Sequence, residues 1–331
     1  MSIQRVTMRQ VAAEAGVAPM TVSYTYTRPD RVAAATRARV LEAAQRLGYA
    51  GPDPVARSLR SGSTGNLGVV LGEHLSYAFE DPQAARFLAG VSQVCVENRL
   101  GLVLIPNTGG PDDVDRVREA AVDGFVLWTT TDDDPILAAV VATGKPAAIQ
   151  GGPAAPGIVA VTPNDRAAAH AIATHMLTNA QRPLLLSLPL DRERQAGLMR
   201  GPTTDVRFPV TRARLTGFKN AIDESAHLWR DTPVAVVARH SRDEARRAVA
   251  AVIDEVRPDV VITMSDQLAA GALDATAATV LVSGWDDSEL ASTLSIPSIR
   301  QSLRDQGVAC ARIAAGLEPT ADAADWSLAL H

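Results

Sequence analysis

From residue 67 onward the sequence alternates short apolar runs with longer stretches of helical periodicity, and this alternation restricts the fold more than any other feature. Runs of strand length lie at 67–71, 100–105, 124–128, 146–150, 158–161, 184–188, 234–238, 260–264 and 279–284. Helical stretches fall between them at 82–98, 113–121, 135–143, 165–178, 212–225, 242–257 and 267–276. Continuous apolar strands joined by helices predict an α/β architecture, with parallel sheets covered on both faces. Nine such strands fit two doubly wound units better than one very wide sheet. The 331 residues leave room for two or three domains.

The stretch before this alternation has a different grammar. Thr7-Met8-Arg9-Gln10 has the form of a capping box. Val11, Ala12 and Ala15 then share one face of a first helix, which Gly16 ends. Pro19 opens a second helix, where its missing N–H costs nothing. Val22 is its buried contact, while Met20, Thr21, Ser23 and Tyr24 fall on or near its outer face. Two short helices around a tight turn, with a polar and aromatic outer face, predict a helix-turn-helix. A third helix is expected over 34–47, closed by Gly48-Tyr49. A short helical piece is expected at 55–59, beyond Pro52 and Pro54.

These residues resemble the DNA-binding headpiece of the lactose-repressor (LacI/GalR) family. The resemblance rests on Val6-Thr7, Val11-Ala12, Ala15-Gly16-Val17, Thr21-Val22-Ser23, Thr36-Arg37, Val40, Gly48-Tyr49 and Ala56-Arg57-Ser58-Leu59. It continues through Val122-Asp-Gly-Phe125, Arg214-Leu-Thr-Gly-Phe218, Ser265-Asp-Gln-Leu-Ala-Ala-Gly271 and Val282-Ser-Gly-Trp-Asp-Asp287, which look like the effector-binding core of that family. Departures are Ala18 and Ala33 at capping positions, Tyr24-Thr25-Tyr26-Thr27 after the Val-Ser, and Asn164-Asp165 in place of Asp-Asn. The resemblance implies a helix-turn-helix over 1–52, a hinge helix and linker over 53–64, and a periplasmic-binding-protein-like core over 65–331. The first subdomain of that core would hold about 65–161 and 295–321. The second would hold 162–294 and 322–331. It further implies a ligand-responsive transcription regulator acting as a repressor. Its partners would be double-stranded palindromic operator DNA, a second copy in a homodimer, and a small sugar-like effector.

Candidate residues follow. Met20, Thr21 and Tyr24 are expected at base edges, with Thr7, Arg9, Ser23, Arg28, Arg31 and Arg57 nearby on DNA and Leu59 as a minor-groove wedge. Ligands of doubly wound sheets bind at the carboxyl ends of strands. That rule selects Tyr77, Phe79, Asp81, Trp128, Asp165, Arg214, Asp266, Trp285 and Asp286. Carboxylates and a forked guanidinium suit vicinal hydroxyls, and aromatic faces suit a sugar ring. Asp165 and Asp266 are equally candidates for helix N-caps, and Trp128 for core. Arg214 and Asp286 are picked out by the family motifs, and alanine at either is expected to keep operator binding while losing the effector response.

Charge is divided along the chain. Residues 1–62 hold nine Arg, no Lys and four acidic residues; the remainder holds 23 basic and 33 acidic residues, giving the net −5. A basic head on an acidic body fits nucleic acid at one end only. Cys95 and Cys310 lie in apolar helical contexts and are expected to be reduced core residues. The six His show no metal-binding spacing, and no nucleophile elbow or P-loop occurs, so no enzyme activity, metal or cofactor is expected. The N-terminus lacks an apolar leader and no run of about 18 apolar residues occurs, so a cytoplasmic location without membrane contact is expected. The competing readings are a small-molecule binding protein without DNA function, an activator, and a nucleoside-responsive regulator.

Overall fold

The computed structural model describes residues 6–51, 62–71, 77–202, 205–320 and 322–331. It divides into two compact units, Met1–Thr64 and Gly65–His331. The first holds α1 (Met8–Ala15), α2 (Pro19–Thr27) and α3 (Ala34–Leu47). The capping box forms as read: the Thr7 N–H donates to Gln10 Oε1 at 2.8 Å, and the Gln10 N–H to Thr7 Oγ1 at 3.4 Å. Gly16 and Gly48 close α1 and α3 at φ 63° and 70°, a conformation in which a Cβ is strained. Ala18 and Ala33 supply no side-chain cap, which forgoes roughly 1 kcal/mol at each helix start. Val11, Val22 and Val40 are fully buried where the three helices meet. Tyr26 joins that core edge-on to Tyr49, with ring centroids 6.0 Å apart.

The second unit contains two five-stranded sheets. In the first, β1 (Asn66–Val70), β2 (Gly101–Ile105), β3 (Gly124–Leu127), β4 (Ala147–Gln150) and β5 (Ile158–Val161) run parallel in the order β2-β1-β3-β4-β5. The two-residue strand period sorts side chains onto opposite faces. Leu67, Val69, Val126 and Ala148 pack against α4 (Pro82–Glu97) and α12 (Leu303–Ala314). Val70, Phe125, Leu127, Ala147 and Ile149 pack instead against α5 (Asp113–Glu119) and α6 (Pro135–Ala142). Cys95 and Cys310 lie buried and unbridged in the first of these cores.

The second sheet has β6 (Pro183–Ser187), β7 (Gly197–Arg200), β8 (Pro233–Val236), β9 (Val260–Thr263) and β10 (Leu281–Ser283) in the order β10-β9-β6-β8-β7. Its helices are α7 (Asp165–Leu177), α8 (Pro209–Asp223), α9 (Arg242–Val256), α10 (Asp266–Ala275) and α11 (Glu289–Leu294). The alternation in the sequence misses three strands, all antiparallel. β7 is an exposed edge without an apolar pattern. β11 (Ser298–Gln301) pairs with β12 (Trp326–Ala329) in a two-stranded ribbon. Ile296 and Ile299 pack into the second core, so the chain returns to the first sheet at about residue 302 rather than 295.

Glycines let helices cross in contact. A Cβ on Gly90 of α4 would lie 2.0 Å from the Arg304 carbonyl oxygen, and one on Gly307 of α12 would lie 2.2 Å from that of Phe87. Alanine at position 307 gains about 1 kcal/mol of helix propensity but forces two backbones apart, at a cost of roughly 1–3 kcal/mol or more. Gly307→Ala is therefore expected to lower the melting temperature by several degrees in differential scanning calorimetry. An unchanged or raised melting temperature would contradict the close crossing.

Candidate functional site

The outer face of α2 meets solvent through Met20, which is 57% exposed, and through the half-buried Thr21 and Tyr24. Thr7, Arg9, Arg28 and Arg31 are exposed around it. Ser23 does not belong to that face. It is 3% exposed, which corrects the expectation that it lies on or near the outer face. The helical period places Ser23 one position after Val22 and turns both toward α1 and α3. Arg57 and Leu59 lie outside the described residues.

In the second unit, the carboxyl ends of both sheets face one cleft cavity of about 100 Å³. The first sheet contributes Trp128 and Thr129 after β3 and Gln150 at the end of β4. Gln83 at the start of α4 joins them. The second contributes Leu188 and Pro189 after β6, His240 after β8, Met264 and Ser265 after β9, and Asp286 after β10. Phe208, Val210, Thr211 and Arg214 come from α8 and the residue before it, and Gln301 and Leu303 from the crossing between the halves.

Arg214 is held from three sides. Its Nε donates to Asp165 Oδ1 at 2.8 Å, its Nη1 to the Met264 carbonyl at 2.7 Å, and its guanidinium lies 3.8 Å from the centre of the Trp285 ring. Asp165 also accepts from Thr162 Oγ1 at 3.0 Å. Asp286 is presented by a backbone at φ 104°, the left-handed region that a non-glycine residue enters only when its surroundings hold it there. The Asp286 N–H donates to the Ile299 carbonyl at 2.7 Å. A row of amides then reaches the Asp286 side chain. Gln150 Nε2 donates to Gln306 Oε1 at 3.1 Å, Gln306 Nε2 to Gln301 Oε1 at 3.0 Å, and Gln301 Nε2 to Asp286 Oδ1 at 2.7 Å. Burial first, and then the Asp266 carboxylate, push the Asp286 carboxyl well above the usual carboxylate range, against the pull of Arg214.

Of the nine residues expected at the ligand, Trp128, Arg214 and Asp286 line the cavity. The side chain of Tyr77 lies outside the described residues, and Phe79 is 72% exposed away from the cavity. Asp81 caps α4 through the Gln83 and Ala84 N–H groups at 2.9 and 2.8 Å. It reaches the cavity wall through Gln83 and through His240, whose Nδ1 is 3.3 Å from Asp81 Oδ2 and whose Nε2 is 2.6 Å from Ser265 Oγ. Asp165 is occupied by Arg214, and Trp285 is fully buried beneath the same guanidinium. Asp266 accepts from Ser288 N–H and Oγ, both at 2.7 Å, and from Ser298 Oγ at 2.8 Å, so it ties the β10 loop to β11 rather than facing a ligand. The helix caps are the neighbours Asn164 and Ser265. Sequence reasoning missed Gln83, Gln150, Gln301, His240, Phe208 and Thr211. The rule that strand ends face the ligand would have found Gln150, which closes a recognised strand.

Residues 7–51 match the family described as bacterial regulatory proteins, lacI family, and residues 64–311 match periplasmic binding proteins and sugar binding domain of LacI family. The HTH-type transcriptional regulator Rv3575c of Mycobacterium tuberculosis is 38% identical over 82% of this chain and 77% of its own. The HTH-type transcriptional regulator IpsA of Corynebacterium glutamicum is 33% identical over 91% of this chain and 88% of its own. Among solved structures, a Lacl family transcriptional regulator from Corynebacterium glutamicum superposes with a TM-score of 0.73 at 26% identity, covering 98% of both chains.

The electrostatics separate the two central residues experimentally. The folded state holds the Asp286 proton more tightly than the unfolded chain does, so stability is lost as pH rises above the ordinary carboxyl value of 3.8. Asp286→Asn removes that loss and keeps the oxygen that Gln301 needs. The variant is expected to melt higher than the parent at pH 7, with the difference shrinking toward pH 4 in a pH series of thermal melts. A constant offset at every pH would contradict this. Arg214→Ala is expected to cost roughly 3–5 kcal/mol of stability, because it strands Asp165 in the interior. Alanine at position 214 is thus expected to lower fold stability as well as the effector response.

Proposed function

The chain belongs to the LacI family of bacterial regulatory proteins, a helix-turn-helix DNA-binding domain followed by a sugar-binding domain of the periplasmic-binding-protein type, and from that premise we propose how its residues divide the work. It regulates transcription. As a repressor, two copies bind a palindromic operator, because one headpiece reads half a site and two-fold symmetry pairs the halves. Met20, Thr21 and Tyr24 reach base edges in the major groove. Thr7, Arg9, Arg28 and Arg31 fix the headpiece on phosphates, positioning it without reading sequence. The hinge residues Arg57 and Leu59 complete the contact, with Leu59 wedged into the minor groove.

The effector is a sugar or sugar derivative. The observation that carries this reading is the single cavity in which Arg214 and Asp286 of one half face Trp128, Gln83 and Gln150 of the other. Donors and acceptors around an aromatic wall suit a ring with an apolar face and a rim of hydroxyls. A ligand touching both halves stabilises their closed arrangement, and it shifts operator binding only by its differential affinity for the two states.

Two measurements test this assignment. Binding-site selection with Tyr24→Ala is expected to return a changed consensus. Arg28→Ala is expected to weaken all sequences alike and to reduce the salt slope by about one. An unchanged consensus from Tyr24→Ala removes that residue from base reading. A sugar that raises the melting temperature of the parent is expected to bind Asp286→Ala more weakly by about 1–3 kcal/mol in calorimetry. Equal binding would place the ligand elsewhere.

A further inference from the structure

Asp286 and Asp287 are consecutive residues with φ of 104° and 47°, both in the left-handed region that favours glycine. Such a pair persists only where its surroundings over-determine it. The reversal turns the chain from β10 toward α11, and it separates the two side chains. Asp286 is in the lining of the cleft cavity and Asp287 is not. Glycine at position 287 would make the same turn without strain. A carboxylate in that place therefore points to an anchoring role.

The anchor is visible in its contacts. The Asp287 N–H donates to Ser298 Oγ at 3.0 Å, and Ser298 Oγ donates onward to Asp266 Oδ1 at 2.8 Å. Asp287 Oδ2 accepts from Arg300 Nε at 2.5 Å, and Oδ1 lies 2.6 Å from His331 Nε2. The Asp287 side chain is 8% exposed. Arg300 belongs to β11 and His331 follows β12, so one carboxylate ties the loop after β10 to both strands of the ribbon. The two neighbouring acids are also pushed in opposite directions. Burial raises Asp287, but Arg300 and His331 outweigh it and hold the carboxyl below its usual range. At Asp286, burial and then the Asp266 carboxylate, with Asp81 farther down, outweigh Arg214 and Gln301.

We propose that Asp287 is a positioning residue: its carboxylate, bridged to Arg300 and His331, holds the reversed backbone that sets the Asp286 carboxyl in the cleft cavity. Gln301 fixes the rotamer of the Asp286 side chain, and Asp287 fixes the stretch of chain that carries it. The consequence for an effector rests on the sugar reading of the cleft, whereas the placement of Asp286 does not. Without the Asp287 carboxylate the loop after β10 relaxes and Asp286 reaches water.

The test needs no ligand, so it reads the placement apart from the cleft reading. Asp286→Asn is introduced into the full chain in four backgrounds: the parent, Asp287→Gly, Asp287→Asn and Val140→Ala. Each pair is melted by differential scanning calorimetry at pH 4 and pH 7. In the parent, this substitution is expected to raise the melting temperature more at pH 7 than at pH 4. Asp287→Gly accepts the positive φ and loses the anchor, and about half or more of that pH-dependent gain is expected to vanish, because the released carboxyl is solvated. Asp287→Asn tolerates the left-handed region and keeps one acceptor, so it is expected to retain more of the gain than Asp287→Gly. Val140→Ala opens a cavity in the core on the other face of the first sheet, and distant sites add, so the full gain is expected to remain. If Asp287→Gly does not fold, His331→Ala breaks the same contact from the other side and is expected to lower the gain as well. An undiminished gain in Asp287→Gly, or in His331→Ala where that variant is needed, overturns the positioning role and leaves Gln301 to hold Asp286. A gain reduced equally in Val140→Ala overturns it too, since general destabilisation then suffices. No pH-dependent gain in the parent overturns the dry placement of Asp286 and the anchor with it. A sugar titration that fails leaves the placement standing and removes only its consequence for an effector.

Discussion

The buried contact of Arg214 with Asp165 holds the ligand half of the molecule together. One guanidinium joins α7, α8, the carbonyl after β9 and the indole after β10, four elements separated by up to 120 positions in sequence. Desolvating two charges is expensive, and the expense is met here by orientation: every donor that is placed is aimed at a fixed oxygen or a ring face. The remaining edge of the guanidinium is left for the cavity. The cavity is therefore lined by a charge that cannot swing, because the entropy of ordering it was spent during folding.

The neighbouring carboxylates divide their roles by hydrogen bonding. Asp266 is saturated by two serines, and Gly284 beside it has no Cβ because one would lie 2.1 Å from Asp266 Oδ1. Asp286, two residues beyond that glycine, is left with one amide donor and a raised affinity for a proton. The first is scaffolding and the second is available, although both stand in motifs that the sequence presents alike.

Much of the fold was legible in the sequence, because apolar runs and helical periodicity are local signals. β1 to β6 and β8 to β10 were visible in that way. The edge strand β7, the β11–β12 pair and the crossing at about residue 302 were not, since partly exposed antiparallel strands carry little apolar contrast. The site was legible in its centre and not in its rim. Arg214, Asp286 and Trp128 stand in motifs or at strand ends, whereas Gln301, Phe208 and Thr211 reach the cavity through tertiary placement alone. Trp285 shows the opposite error: a residue in a ligand-like motif that is fully buried as a platform for an arginine. In the headpiece, Tyr24-Thr25-Tyr26-Thr27 looked like a single departure. It splits into Tyr26, which fills the core against Tyr49, and Tyr24, which stays on the surface.

The row of glutamines from Gln150 to Asp286 has a single direction, each amide giving its N–H to the next oxygen. An amide carries its donor and acceptor on opposite arms, so no member can turn over without reversing the others. The middle link, Gln306 to Gln301, straddles the point where the chain passes from one half to the other. Torsion at that point must stretch this bond. The row thus fastens the end of β4 to the loop after β10 by way of the joint itself, so that neither sheet meets the cavity independently of the other.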